Sequence, residues 1–176
     1  PWDYIDCCGV LHHLEDPDVG LAALAGQLAP DGGIGVMVYG EYGRTGVYQM
    51  QDMLRTIAPG GGMPDDERVA MAKRLAKDIP KTSWIARNDL IHDHVGGGDP
   101  GIYDLFLHSR DRAYRVPDVA DFVTQARLRL TGFIEPYRYD PDWLVRDPRI
   151  LKCLREQDPI TRAGFAELFT GNLKKH

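Results

Sequence analysis

The chain has 176 residues, 43% of them hydrophobic and 27% charged, with a formal net charge of -5. That is the length of one domain with a buried core and the balance of an ordinary soluble globular protein. The acidic balance argues against a nucleic-acid backbone as partner, and no apolar run approaches the ~20 residues of a membrane helix. Cys7, Cys8 and Cys153 do not form a disulfide framework and point to a reducing, cytoplasmic compartment. The opening Pro1-Trp2, without an initiator Met and close to an apolar run, is expected of an internal breakpoint.

In chain order, Tyr4 to Leu11 reads as a short, mostly buried strand that ends near Gly9. Asp16 then offers an N-cap with Pro17 at the first helical position, and Leu21, Leu24 and Leu28 follow at helical spacing. Pro30-Asp31-Gly32-Gly33 is expected to stop that helix. Ile34 to Tyr39 is apolar throughout and too short for a helix, which suits an interior strand of a parallel sheet, covered on both faces. Strand, helix, strand is one crossover unit of an open α/β sheet.

Past Tyr39 the pattern changes. Gly40 to Gly46 is a glycine-punctuated loop, followed by an amphipathic helix marked by Val47, Met50, Leu54 and Ile57. A second helix, capped near Asp65, carries Val69, Ala72, Leu75 and Ile79. Pro80 to Arg115 is irregular, with room for a short helix from Tyr103 to His108. Pro117 opens a helix with Val119, Phe122, Val123 and Ala126 on one face, and Leu128 to Ile134 alternates as a third strand would. Asp158-Pro159 repeats the cap-plus-proline signal. Residues 41–115 therefore read as a helical insertion into one α/β domain.

Two stretches carry a family resemblance. Tyr4-Ile5-Asp6-Cys7-Cys8-Gly9-Val10-Leu11-His12-His13-Leu14-Glu15-Asp16-Pro17 resembles the fourth-strand motif of class I S-adenosylmethionine-dependent methyltransferases, and Leu28-Ala29-Pro30-Asp31-Gly32-Gly33 is similar to that family's turn into strand five. Asp31 stands where Gly is common, which a turn tolerates. Val38 to Tyr48 and Tyr103 to Tyr114 look like a bacterial subgroup of the same enzymes. The resemblance implies a partial Rossmann-like α/β sheet over residues 1–176, with strands 4, 5 and 6, flanking helices and a helical insertion (41–115) after strand 5 that caps the substrate. It implies S-adenosyl-L-methionine as cofactor and a small-molecule or protein methyl acceptor, without nucleic acid or membrane. The family's glycine-rich loop and ribose-holding acid have no counterpart here, since Gly60-Gly61-Gly62 and Gly96-Gly97-Gly98 follow no strand. The chain is thus expected to be truncated at both ends and inactive alone. Gly171 to His176 resembles the approach to a last strand.

Open parallel sheets bind ligands outside the carboxyl ends of their strands. On the resemblance, Cys7, Cys8, Gly9, Val10 and His13 contact the cofactor, and the acceptor meets the methyl group near Cys8-Gly9 and Tyr39, entering over the insertion. Tyr39, Tyr42, Arg44 and Arg110 are the substrate-side candidates; Tyr39, Tyr42 and Tyr48 could equally pack the insertion helix. His13 is the candidate general base because imidazole is the side chain suited to proton transfer near neutral pH, although a structural role suits His12 and His13 better. Cys7-Cys8 beside histidines could form a nucleophilic pair, but strand cysteines are commonly buried hydrophobes. Arg110-Asp111-Arg112 reads most simply as a solvated, self-compensated charge run. Two other functions stay open: a non-catalytic α/β interaction domain, and a metal-dependent hydrolase using His12, His13, His92 and His94. For His92-Asp93-His94 a solvated loop is the simpler reading.

Overall fold

The computed structural model describes residues 1–59, 62–91 and 96–176. The chain divides into two compact units, Pro1–Gly43 with Arg112–His176, and Arg44–Asp111. The described elements are β1 (Trp2–Cys8), α1 (Pro17–Ala25), β2 (Leu28–Met37), α2 (Val47–Ile57), α3 (Asp65–Asp78), α4 (Gly98–Ile102), α5 (Val116–Gln125), α6 (Pro141–Leu144), α7 (Pro148–Arg155) and α8 (Pro159–Thr170). Helix α4 runs on as a π-helical turn, Tyr103–Leu107.

In the first unit β1 and β2 pair in parallel, with Ile5 opposite Ile34, Cys7 opposite Val36 and Cys8 opposite Met37. The intervening α1 begins as its sequence dictates: the Asp16 carboxylate accepts from Val19 N at 3.0 Å, and Pro17 occupies the first turn. The helix ends at Ala25, and Leu28 already belongs to β2. Pro30-Asp31-Gly32 is a bulge rather than a helix stop, because the ladder slips between Trp2–Leu28 and Tyr4–Gly33. Neither strand is interior among the described residues: the sheet has two strands, and Trp2 and Tyr4 on β1 are 65% and 64% exposed. An apolar run reports what a strand could bury, and here one side of β1 lacks a covering layer.

The expected third strand at Leu128–Ile134 does not form. Those residues have no ladder partner among the described residues, and residues in the left-handed region, Arg127 (φ 59°) and Glu135 (φ 60°), flank the segment. The alternation is nevertheless expressed as packing, for Leu128, Leu130 and Phe133 lie against the core around Leu11, Leu21, Tyr114 and Phe122. Ile134 is 87% exposed.

Beyond Met37 the chain stays extended and is paired on both sides. Val38 and His176 exchange backbone bonds of 3.1 and 2.9 Å, and Gly40 N donates to Lys174 O at 2.8 Å. On the other side Tyr114 N donates to Tyr39 O at 2.8 Å and Glu41 N to Tyr114 O at 3.0 Å. The segment ending in His176, expected to approach a further strand, thus pairs antiparallel with residues 38–40 at Tyr39–Lys175. Helix α8 packs on α5 and α6, and four helices (α1, α6, α7, α8) open with an Asp cap followed by Pro.

The second unit is helical. Val47, Met50 and Leu54 of α2 bury one face, as their spacing predicts, whereas Ile57 is 46% exposed. They pack with Val69, Ala72, Ile102 and Phe106 around a core of side chains from α2, α3, α4 and the π-helical turn. Gly46 stands at φ 101° before α2, where a Cβ would collide with the Ile85 backbone.

Candidate functional site

The carboxyl ends of β1 and β2 lie side by side in the first unit, where an open parallel sheet exposes backbone to a ligand. Gly9 follows β1 at φ 75°, a conformation L side chains rarely adopt, and its N–H reaches Met37 O at 3.1 Å. The chain then turns through Leu11–His13 into α1. His12 is fully buried and half-buried His13 lies beside it, with ring centroids 4.2 Å apart. Tyr39, half-buried just past β2, stands 4.0 Å from the His12 ring and meets His13 edge-on at 5.6 Å. These rings form one aromatic shelf at the two strand ends.

Cys7 lies in the ladder, partly packed against the core, while Cys8 and Val10 are exposed. Burial, with the Asp6 carboxylate adding to it, pushes the Cys7 thiol up; the Cys8 thiol is raised first by its hydrogen bond to Asp6 Oδ1, 2.9 Å long. Both shifts keep the sulfur protonated at neutral pH, which suits packing and hydrogen bonding rather than nucleophilic attack. The three cysteines are free.

Tyr42 lies in the same unit as the shelf, half-buried in the Tyr42–Arg44 turn, and hydrogen-bonds Arg115. Arg44 belongs to the helical unit and is buried: its guanidinium donates to Asp111 Oδ2 at 3.1 Å and to the Tyr48 hydroxyl at 3.2 Å. Arg110 is exposed in that unit, its N–H on His108 Nδ1 at 3.2 Å. The run Arg110-Asp111-Arg112 is therefore not simply solvated. The Asp111 side chain is fully buried, also accepting from Gln51 Nε2 at 3.1 Å, and Arg112 lies 4.8 Å over the Tyr114 ring. Desolvation explains why one member of the run leaves water: a buried guanidinium requires a carboxylate.

His92, Asp93 and His94 lie outside the described residues. Among the described residues no three His, Cys, Asp or Glu side chains gather as a metal-ligand set, and no helix is long and apolar enough to cross a membrane.

Residue-level reading of the sequence overlooked a second polar cluster in the first unit. Glu167 and the side chain of His176 are buried, with His176 Nε2 3.1 Å from Glu167 Oε1. The other Glu167 oxygen accepts from Val116 N at 2.9 Å. Tyr139, raised to about 12 by burial first and the acid Glu167 among lesser causes, places its hydroxyl 3.2 Å from His176 Nδ1. The sequence signal is slight: Glu167 shares a helical face with Ala163 and Gly164, an acid among small residues.

No family model matches the chain. It is 34% identical over 146 residues to the uncharacterized protein syc1184_c of Synechococcus sp. (strain PCC 6301), a match over 81% of this chain and 34% of that protein. The structure of PKMT2 from Rickettsia typhi superposes on 99% of this chain and 34% of its own length, with a TM-score of 0.65 at 16% identity. PKMT2 in complex with AdoHcy gives a TM-score of 0.64 at 15% identity, over 99% of this chain and 34% of PKMT2. The chain spans about a third of the length of these relatives, and it shares the α/β fold of that part of PKMT2.

Proposed function

We propose that this chain is part of a class I S-adenosylmethionine-dependent methyltransferase, with β1 and β2 as that family's strands four and five. The observation that carries the reading is the juxtaposition at the strand ends: left-handed Gly9 and the His12–His13–Tyr39 shelf stand together where parallel sheets receive ligands. The fold likeness to PKMT2, a protein solved with AdoHcy, supports it. AdoHcy is the product left when S-adenosylmethionine gives up its methyl group.

The residues present fit one side of that cofactor. Gly9 leaves its backbone without a side chain at the strand end, and an added Cβ there would stand 3.4 Å from the Met37 methyl. Cys8 and Val10 offer exposed surface beside it, Cys7 supports it from the ladder, and His13 and Tyr39 present rings to a flat group. When bound, S-adenosylmethionine supplies a methyl group on a sulfonium, so the protein's main tasks are alignment and exclusion of water. In this reading His13 takes the proton of an acceptor hydroxyl or amine on a ring nitrogen. Tyr39 and Tyr42 face the acceptor, a small molecule or a protein side chain. In the helical unit, exposed Arg110 is suited to an anionic group, while Arg44 serves internal structure. The free cysteines fit a cytoplasmic setting.

Titration calorimetry of the full-length protein with S-adenosylhomocysteine tests the proposal. Binding is expected, and Gly9→Val should weaken it by about tenfold or more by straining the turn and filling the crevice. Binding of equal strength to Gly9→Val would place the ligand elsewhere and remove the assignment of residues 7 to 13.

A further inference from the structure

His12 and Tyr39 come from different loops, yet their main chains are gripped by one segment. Arg112 N donates to His12 O at 3.1 Å, and Tyr114 N donates to Tyr39 O at 2.8 Å. Residues 112–114 therefore span the two strand ends and set the spacing of the rings above them. This strap is fastened by the buried polar cluster. His176 Nε2 hydrogen-bonds Tyr114 O at 3.0 Å and lies 3.1 Å from Glu167 Oε1. Glu167 Oε2 holds Val116 N, the first N–H of α5, at 2.9 Å. His176 also exchanges two backbone bonds with Val38, the residue before Tyr39. Tyr39 is thus fixed from both sides, by the strap and by the tail, and Glu167 with His176 joins the two.

We propose that Glu167 and His176 are positioning residues for the His12–Tyr39 shelf: they act through the strap Arg112–Val116 and set the ring geometry that a ligand meets. The ligand half of this statement rests on the methyltransferase reading; the geometric half does not. Burial makes the coupling strong. Both side chains lie out of water, where losing the bond to Val116 N or to Tyr114 O leaves a buried polar group unpaired, and the nearest parts able to move are the strap and the tail.

The experiment uses the full chain with 13C-labelled tyrosine, the Tyr39 ring signal being assigned by its loss in Tyr39→Phe. The His12 ring lies close enough for its ring current to make that signal a gauge of stacking. Glu167→Gln and His176→Gln keep size and hydrogen-bonding capacity while removing the carboxylate and the imidazole in turn; Glu167→Ala removes the strap's anchor as well. Leu154→Ala in α7, a buried position away from the strap, serves as a control of comparable stability loss.

The Tyr39 signal is expected to move in both Gln variants and furthest in Glu167→Ala, while Leu154→Ala leaves it in place. S-adenosylhomocysteine affinity should fall in the same order, by about tenfold in Glu167→Ala, with partial recovery in Glu167→Gln. If Glu167→Ala does not fold, the two Gln variants decide. Gln variants that melt earlier, as the control does, yet keep the wild-type Tyr39 signal would overturn the proposal. Absence of S-adenosylhomocysteine binding by the wild type would instead remove the ligand reading, and the Tyr39 signal would still decide the positioning role.

Discussion

In the helical unit Arg44–Asp111, buried charge meets buried charge between the unit's own first and last residues, whereas in the α/β unit buried polar side chains reach mainly for backbone. Arg44 and Asp111 are 67 positions apart in sequence, so their ion pair closes a long loop at its neck. Gln51 extends the pair inward by donating to Leu105 O at 3.0 Å as well as to Asp111. In the α/β unit Glu167 and His176 instead hold the amide of Val116 and the carbonyl of Tyr114. The first arrangement ties a module's ends; the second holds a segment that bridges the loops following β1 and β2. A buried side-chain pair can be replaced as a pair, while a buried group on backbone has no replaceable partner.

That contrast breaks most severely at Asp111. Asp111→Ala is expected to cost about 3–5 kcal/mol, because Arg44 is left charged and buried without its carboxylate. The double variant Arg44→Met, Asp111→Leu should recover most of the loss, since two apolar groups remove both desolvation penalties. Urea unfolding monitored by far-ultraviolet circular dichroism measures both. A double variant as unstable as Asp111→Ala would show that the neck depends on charge and not on filling.

Packing comes next. Leu54 in the helical unit and Leu21 in the α/β unit are both fully buried, and truncation of either to Ala should cost ~2–5 kcal/mol. Calorimetric melting sharpens the comparison. If the units unfold independently, Leu54→Ala moves one transition and Leu21→Ala the other; a shared transition moved equally by both shows that they unfold together.

The fold was legible where local chemistry suffices. Asp16-Pro17 and Asp158-Pro159 announce helix starts because a carboxylate can take the first free N–H groups and proline needs none, and each stands there in the structure. The parallel pairing of β1 and β2 followed from two apolar runs joined by a capped helix. Leu128–Ile134 misled because alternation states which side chains bury and not whether another strand is present to accept the backbone. Pro30-Asp31-Gly32 misled in the opposite sense, since the ladder resumes at Gly33 beyond the bulge. Of the candidate site, Gly9 and the loop to His13 were singled out through family resemblance. Asp111 hid inside a run of like-looking charges, and the bond that Val116 N donates to Glu167 joins residues 51 apart. Neither pairing leaves a mark in local sequence.

Helix ends divide the units again, at smaller cost. Four helices of the α/β unit open on Asp side chains that accept backbone N–H groups, while α2, α3 and α4 follow Gly46, Pro64 and Gly97 without a capping carboxylate. Asp16→Ala should therefore cost about 1 kcal/mol, and Asp16→Asn much less, in the same unfolding assay. Equal losses would mean that charge near the helix start, rather than the accepted hydrogen bond, carries the cap.

The smallest effect concerns pH. Asp118, in the first turn of α5, accepts from the Arg115 guanidinium at 2.8 and 2.9 Å and from Arg115 N at 2.9 Å. Its carboxyl is held below the usual carboxylate range, first by the guanidinium hydrogen bond, with the Arg115 amide and charge adding to it and partial burial opposing. Below the ordinary aspartate value of about 3.9, the unfolded chain takes up this proton before the native one does. The stabilisation is therefore complete above that value and is lost as pH falls through the lowered native value. Asp118→Asn keeps an acceptor for Arg115 N but gives up the charge, so wild type should be slightly more stable at neutral pH. The gap should close in acid and shrink in salt at neutral pH, because the pair is partly exposed. Stability measured from pH 7 down to 3 in both proteins gives the answer, and a gap that widens in acid would contradict the assigned direction of the shift.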